Sequence, residues 1–366
     1  MSGQPREIVP VGAEEYAEIA DRFSRLLATE RDFLLLQGEA VLALEAAARG
    51  LGRPGSRVLN LVTGPYGAAL GDWFRQAGAS VDELVVPFDS AVGAEAVVEA
   101  LGSGGHDLVS VVHAEAATGA VNPLAAIAAA ARAAGALIFV DAVASVGAEP
   151  LEIDAWGLDL VVVSAQKALA GPTGASGVVV GPRAWQRLED NPTAPRRSIL
   201  SLLDWREAWL GSERRVLPLI PHHVETRLLG AALEAARREG IAAIIARHAA
   251  ARDASRRGLR ALGVEPWVAD DRAAAAVATT VRLPANLSAP ALLDALGRSG
   301  IRSTLASAPG PLAPRALRIG HSGLRARPEE VIAALAALAF GLRAVGIETD
   351  VGSAIEAALA LEGGPH

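Results

Sequence analysis

The sequence predicts an α/β protein, in which a mostly parallel sheet covered by helices precedes a smaller α+β unit. Three observations predict it. Strand-like apolar runs alternate with helix-like segments up to Val180, the pattern of strands joined by crossover helices. Beyond a long helical stretch at 225–262, only two strand-like runs and one further helix follow. With 366 residues, 51% of them apolar and 20% charged, the chain can bury a large core in two units. The expected division is an N-terminal segment at 1–30, a large domain at 31–240 and a small α+β domain at 241–366.

Taken in order, residues 40–49 form a helix and Arg57-Val-Leu-Asn-Leu-Val62 a strand, a short apolar and β-branched run between turn formers. Helix 68–76, strand Glu83-Leu-Val-Val-Pro87, helix 94–101 and strand Leu108-Val-Ser-Val-Val112 follow. The alanine-rich stretch 124–134 has high helix propensity, and Gly135 ends it. Ala136-Leu-Ile-Phe-Val-Asp141 and Leu158-Asp-Leu-Val-Val-Val-Ser164 are apolar runs ending in a polar residue, so both polar groups emerge where buried strands stop. Gly177-Val-Val-Val180 completes the sheet. In the small domain, Thr279-Thr-Val-Arg-Leu283 and Ala316-Leu-Arg-Ile319 are strands and 328–345 is a helix.

Composition narrows the function classes. The absence of cysteine means no disulfide and no thiolate metal site, which suits a cytoplasmic protein. A net charge of −7 argues against a nucleic-acid surface. Apolar stretches such as 331–342 are too short to span a bilayer, and the Met-Ser-Gly-Gln-Pro-Arg-Glu start has no signal-peptide core, so no membrane partner is expected. The 7 histidines include no pair spaced three or four apart, so no metal site is expected.

Lys167 follows Ser164-Ala-Gln166 and lies 26 positions after Asp141 (167 − 141). Strand ends in open α/β sheets are where ligands bind. A lysine amine can form an imine with an aldehyde. A carboxylate can keep a pyridine nitrogen protonated, so that the ring withdraws electrons from a carbanion. Taken singly, Asp141 reads as a cap or turn former and Lys167 as a solvated charge. Together, Asp141-Ala-Val-Ala-Ser145 and Ser164-Ala-Gln-Lys167-Ala-Leu with Gly171-Pro-Thr-Gly174 resemble the signature of the class V aminotransferases, members of the fold-type I pyridoxal-phosphate enzymes. The resemblance implies a seven-stranded sheet in the large domain, Lys167 as the imine-forming residue and Asp141 as the partner of the ring nitrogen.

Further candidates come from the same resemblance. Tyr66, in Thr63-Gly-Pro-Tyr66-Gly67, occupies the position of the aromatic that stacks on the ring; alone it reads as a turn tyrosine covering the sheet edge. His113-Ala-Glu115-Ala-Ala-Thr118-Gly119 resembles a His-Gly-Glu-Ser-Ser-Thr-Gly segment of the family, which implies Thr118 on the ring hydroxyl and His113 near the ligand. A buried, satisfied histidine is the plainer reading of His113. Ser164 and Gln166 are implied as orienting groups. Arg318 resembles the arginine that grips the substrate carboxylate, a role suited to two parallel guanidinium donors; its apolar neighbours argue against an exposed strand arginine.

A phosphate is usually held at a helix N-terminus by backbone N–H groups and by hydroxyls of a Ser-Gly-x-Gly-Thr loop. The corresponding Leu35-Leu-Gln-Gly38-Glu39-Ala-Val41 has no hydroxyl. Glu39 puts a carboxylate at the positive end of a helix, worth about 0.3–1 kcal/mol, where a phosphate would meet a like charge. A first-turn acid is also the commonest use of Glu there. The neighbouring subunit's loop, which adds Tyr and Thr hydroxyls in the family, corresponds to Pro221-His-His-Val224.

These departures resemble a branch of the family that takes pyridoxamine and pyridoxal as substrate and product. Gly38-Glu39-Ala-Val-Leu-Ala-Leu-Glu45, Asn191-Pro-Thr-Ala-Pro-Arg196, Asp204-Trp205, Arg318-Ile-Gly-His321 and Ile355-Glu-Ala-Ala-Leu-Ala360 carry that likeness. The implied function is amino transfer between pyridoxamine or pyridoxal and a small 2-oxo acid such as pyruvate, in a homodimer or homotetramer. In Arg302-Ser-Thr-Leu-Ala306, alanine stands where that branch has a second arginine, which leaves the acceptor open. The resemblance implies a closing segment before Tyr16, for which the 1–30 segment is short for the family: either the start is misassigned or the entrance is more open. The alternatives are a conventional pyridoxal 5'-phosphate enzyme of the alanine– or serine–glyoxylate type, a lyase, or, remotely, a non-catalytic binding protein. A nicotinamide dehydrogenase is disfavoured, because Gly171-Pro-Thr-Gly174-Ala-Ser-Gly177 lacks the Gly-x-Gly spacing.

Overall fold

Nine strands and nine α-helices occupy residues 13–261 in a computed structural model that describes residues 8–300 and 304–360. The Met1–Glu7 start and Arg302, each part of an expectation above, lie outside the described residues. The strands are β1 (Asp32–Gln37), β2 (Arg57–Val62), β3 (Ser80–Val85), β4 (Leu108–Val112), β5 (Ala114–Glu115), β6 (Ala120–Val121), β7 (Leu137–Asp141), β8 (Leu160–Ser164) and β9 (Ala175–Val180). The helices are α1 (Ala13–Leu26), α2 (Ala40–Leu51), α3 (Pro65–Gln76), α4 (Ala94–Gly104), α5 (Leu124–Ala133), α6 (Pro182–Glu189), α7 (Leu202–Trp205), α8 (His223–Glu239) and α9 (Ile241–Ala261).

Seven strands form one sheet in the order β1-β9-β8-β7-β4-β2-β3, and β9 alone runs against the others. Its central members β4, β7, β8 and β9 are buried throughout, as Val- and Leu-rich strands covered on both faces must be. β5 and β6 make a separate ribbon beyond the end of β4. The register aligns Val112 with Asp141, Asp141 with Val162, Ser164 with Ser176 and Gln37 with Ala175. The ends of β1, β4, β7 and β8 therefore share one edge, where the first residues of the following loops converge.

Three local differences from the sequence reading have physical causes. β3 covers Ser80–Val85 rather than 83–87, an edge strand with mostly solvated side chains, so its apolar end misled. Pro87 cannot donate to a ladder. β1 pairs antiparallel with β9, more than a hundred residues away, and had no local signal beyond its leucines. The helical stretch 225–262 is two helices, broken at Gly240, whose φ of +87° suits only glycine.

The rest of the chain forms a three-stranded antiparallel sheet, β10 (Ala278–Arg282), β11 (Leu305–Ser307) and β12 (Ala316–Gly320), in the order β10-β12-β11. Helices α10 (Ala289–Arg298), α11 (Pro328–Ala344) and α12 (Val351–Leu359) accompany it. One apolar core surrounds the large sheet from Val11 to Ile244, and a second joins α9, α11 and α12 to the small sheet. Between them lies a seam of small side chains, in which Ala114, Ala144 and Ala168 meet Ala275–Ala278. Glu149 crosses this seam and accepts the Ala276 N–H at 2.6 Å. At the other end α1 is anchored by Tyr16, which stacks on Trp205 at 6.0 Å, meets Trp209 edge-on and donates its hydroxyl to the Leu35 carbonyl. Among the described residues no helix is long and apolar enough to cross a membrane.

Candidate active site

Lys167 sits on a tight turn that leaves the end of β8. The Ala170 N–H donates to the Lys167 carbonyl at 3.0 Å and the Gly171 N–H to the Ala165 carbonyl at 2.7 Å. Ala170 takes a left-handed φ of +54° to close the turn, a conformation that costs a non-glycine residue about 1 kcal/mol. The Ser164 hydroxyl lies 3.2 Å from Gln166 Oε1 and 3.3 Å from the Ala175 carbonyl. Lys167 itself is half-buried, with Nζ 5.5 Å from the centre of the Tyr66 ring. Burial lowers its pKa; Asp141 opposes the shift, Arg318 adds to it, and Glu115 and Glu39 oppose it. A simple count escaped the sequence reading: Lys167 is the only lysine in a chain with 34 basic residues.

Asp141 is the last residue of β7 and is buried, with Oδ1 accepting the Val143 N–H at 2.9 Å. Burial raises its pKa and the charge of Lys167 pulls it back. One acceptor oxygen is thus committed to the backbone and the other is left for a buried donor.

Glu115 organises the opposite side. Its Oε2 accepts the N–H groups of Tyr66 and Gly67 at 3.2 and 3.3 Å, in the first turn of α3, and Oε1 accepts Ala117 N–H at 3.3 Å. A carboxylate there also meets the positive end of the helix. A β-carbon at Gly64 would stand 2.3 Å from Glu115 Cγ, so glycine is what lets the acid approach. Burial pushes Glu115 up to about 7, against the pull of the Gly67 and Ala117 N–H groups. Sequence reasoning quoted Glu115 but gave it no role; a buried acid inside an alanine-rich segment was the available signal.

Tyr66 leaves this turn with 42% of its surface exposed, its face turned to Lys167. Thr118 is buried, and its hydroxyl lies 3.4 Å from the Glu115 carbonyl and accepts the Ala120 N–H at 3.2 Å, closing the β5–β6 turn. His113 is buried with its ring edge-on to Trp156 at 6.3 Å, and Nδ1 has no partner. Burial pushes its pKa down to about 4, so the imidazole is neutral.

Gly38 has φ +114° and joins β1 to the cap of α2, where Glu39 Oε2 accepts the Val41 N–H at 3.1 Å. Gln166 Nε2 donates to Glu39 Oε1 at 2.9 Å. The exposed Glu39 carboxylate thus lies beside the lysine turn, at a helix N-terminus that carries no hydroxyl. The His223 ring, in the Pro221-His-His-Val224 segment, accepts the Val11 N–H at 3.1 Å.

Arg318 reaches the site from β12, half-buried, and donates from Nη1 to the Ala116 carbonyl at 3.3 Å. Its cross-strand neighbours are Thr280 and Ala306. Asp141, Glu115, Glu39 and Arg318 each act electrostatically on both Tyr66 and Lys167, which marks a single chemical centre. Its donor set suits a pyridoxal ring: an amine with lowered pKa, a buried acid and an open aromatic face. It suits a phosphate poorly, since the α2 N-terminus already holds a carboxylate.

Known proteins resemble this chain along most of its length. The family model for class-V aminotransferases matches residues 14–304. The chain is 36% identical to the pyridoxamine–pyruvate transaminase of Mesorhizobium japonicum, over 94% of this chain and 88% of that one. It resembles the crystal structure of pyridoxamine–pyruvate aminotransferase from Mesorhizobium loti with a TM-score of 0.91 and 35% identity, covering 98% of this chain and 91% of that one. The ureidoglycine–glyoxylate aminotransferase structure from Bacillus subtilis follows at 0.87 and 27%, with 96% and 92% covered. A lysine at a strand end, a buried acid on the neighbouring strand and a matched length of nearly the whole chain lead to one conclusion: the chain belongs to the class-V aminotransferases.

Proposed function

We propose that the chain transfers an amino group between pyridoxamine and a small 2-oxo acid, releasing pyridoxal, and that the vitamer is a substrate. The observation that carries this reading is Glu39, whose two oxygens are engaged by Val41 N–H and Gln166 Nε2 at the start of α2. A phosphate there would displace or repel a carboxylate; a neutral hydroxymethyl group can donate to it.

When bound, the pyridoxal ring supplies an electron sink for the carbon that loses its proton. Asp141 holds the proton on the ring nitrogen from its buried position at the end of β7. Tyr66 covers one face of the ring, while Gln166, Ser164 and Thr118 orient its polar edge, with Gly38 and His113 in the surrounding shell. Lys167 Nζ, with its pKa lowered by burial, takes and returns the proton as general base and then acid. Arg318 holds the carboxylate of the amino or oxo acid.

A homodimer or homotetramer in the cytoplasm belongs to the same proposal. Ile220, Val224 and Leu228 are exposed, and Ile220 is tied to the residue before Gly38, because Gln37 donates to its carbonyl at 2.7 Å. Covering that apolar patch with a second copy would also close the entrance.

The test is turnover without phosphate. Purified protein mixed with pyridoxamine and pyruvate should release pyridoxal and alanine many times over per chain. Turnover that depends on added pyridoxal 5'-phosphate would instead favour the conventional cofactor-bound reading.

A further inference from the structure

Gly323 opens the short turn after β12, and its α-carbon lies against the lysine turn. A β-carbon added to it would stand 2.8 Å from the Lys167 carbonyl oxygen and 3.1 Å from the Ala170 β-carbon. Its φ of +61° also favours glycine. Helix α9 grips this residue by both polar groups. His248 Nε2 accepts the Gly323 N–H at 3.0 Å, and Arg247 Nη1 donates to the Gly323 carbonyl at 2.6 Å. Arg247 is itself fixed by the two oxygens of Glu239, at 2.7 and 3.2 Å.

The geometry sets the state of His248. Because Nε2 accepts, Nδ1 carries the proton and donates to the Ile244 carbonyl at 2.7 Å. Burial lowers the pKa of this ring, with Arg247 adding to the shift and the Ile244 bond and Glu239 opposing it. His321, the next imidazole in the cluster, is also buried, with Nε2 2.8 Å from the Thr279 hydroxyl.

We propose that His248 is a positioning residue for Lys167: with Arg247 it clamps Gly323 against the Lys167 carbonyl and holds the lysine turn closed. The need for a clamp is visible in the turn, where Ala170 adopts a backbone conformation that surrounding contacts must enforce. The clamp also ties the two ends of the site together, since Arg318 lies five residues before Gly323 (323 − 318) on the strand that feeds the turn. The inference rests on Lys167 being the reacting amine, as proposed above.

The single lysine makes a direct test possible without any ligand. Reductive methylation with isotope-labelled formaldehyde gives one lysine NMR signal, assigned with Lys167→Ala, whose shift against pH reports the amine pKa. His248→Leu should raise that pKa towards the ordinary lysine value, because a loosened turn admits water. His248→Gln, which keeps an acceptor for the Gly323 N–H, should hold it near the wild-type value. Gly323→Ala presses on the same contact from the other side and should raise it too. A folded His248→Leu with a wild-type lysine pKa overturns the clamp. If His248→Leu does not fold, Gly323→Ala decides: a raised pKa supports the clamp and an unchanged one overturns it. Failure of pyridoxal to give a Lys167-dependent visible band in the wild type would sink the functional reading instead, and leaves the pKa comparison intact.

Discussion

Gln166 Nε2 donates to Glu39 Oε1 at 2.9 Å, so the residue before Lys167 is tied to the cap of α2. A carboxylate held this way by protein donors is a preformed acceptor for a hydroxyl and a barrier to a phosphate. Replacing Glu39 by Gln keeps the size and removes the charge. The loss of one charge-assisted hydrogen bond, about 1.5–3 kcal/mol, should raise KM for pyridoxamine roughly 10- to 100-fold and improve binding of pyridoxal 5'-phosphate. Steady-state kinetics with each vitamer check both directions, and an unchanged preference would contradict the role.

Arg318 lies opposite Ala306 and Thr280, so neither of its cross-strand neighbours among the described residues is an arginine. Arg318→Lys loses the planar fork that matches a carboxylate. KM for the 2-oxo acid should rise by roughly 10- to 100-fold, in line with a lost charged hydrogen bond, while KM for pyridoxamine stays put. A split of this kind would separate carboxylate binding from ring binding. Equal effects on both substrates would argue against it.

Glu115 serves three backbone N–H groups, those of Tyr66 and Gly67 at the start of α3 and that of Ala117 after β5. Glu115→Ala strands those donors in a buried site and should cost about 3 kcal/mol, read as a lower midpoint in urea. It should also raise KM for pyridoxamine, because Tyr66 is the first residue released. Loss of stability with no change in that KM would leave Glu115 purely structural.

Much of the large sheet was legible because buried parallel strands are continuous apolar runs, and those ending at Asp141 and Ser164 carry their chemistry at the tip. Residues next to strand ends could therefore be named from the chain alone. What resisted reading was non-local. β1 is a strand only because β9 pairs with it, and the Gly240 break hides inside two alanine- and arginine-rich helices. Gly323 and His248 carried no motif at all. Their importance depends on a contact between a turn and a helix separated by 75 residues.

Glu149 crosses the alanine seam, and burial raises its pKa from 4.5 to about 7. The protonated form is favoured in the fold, so its contribution is complete below 4.5 and is lost as pH rises through 7. The loss amounts to about 3 kcal/mol. Glu149→Gln removes this dependence and keeps an acceptor for Ala276 N–H. Its stability relative to wild type should therefore be greater at pH 8 than at pH 5, measured by urea unfolding at both. A difference independent of pH would refute the linkage.

The central claim is that a phosphate-free vitamer reacts at Lys167. The most direct measurement mixes protein with pyridoxal and with pyridoxal 5'-phosphate separately, records the visible band in wild type and in Lys167→Ala, and then adds alanine. The account predicts a Lys167-dependent band with pyridoxal alone, discharged by alanine as pyridoxamine forms. A band and discharge seen only with the phosphate would contradict it and make Glu39 an ordinary helix cap.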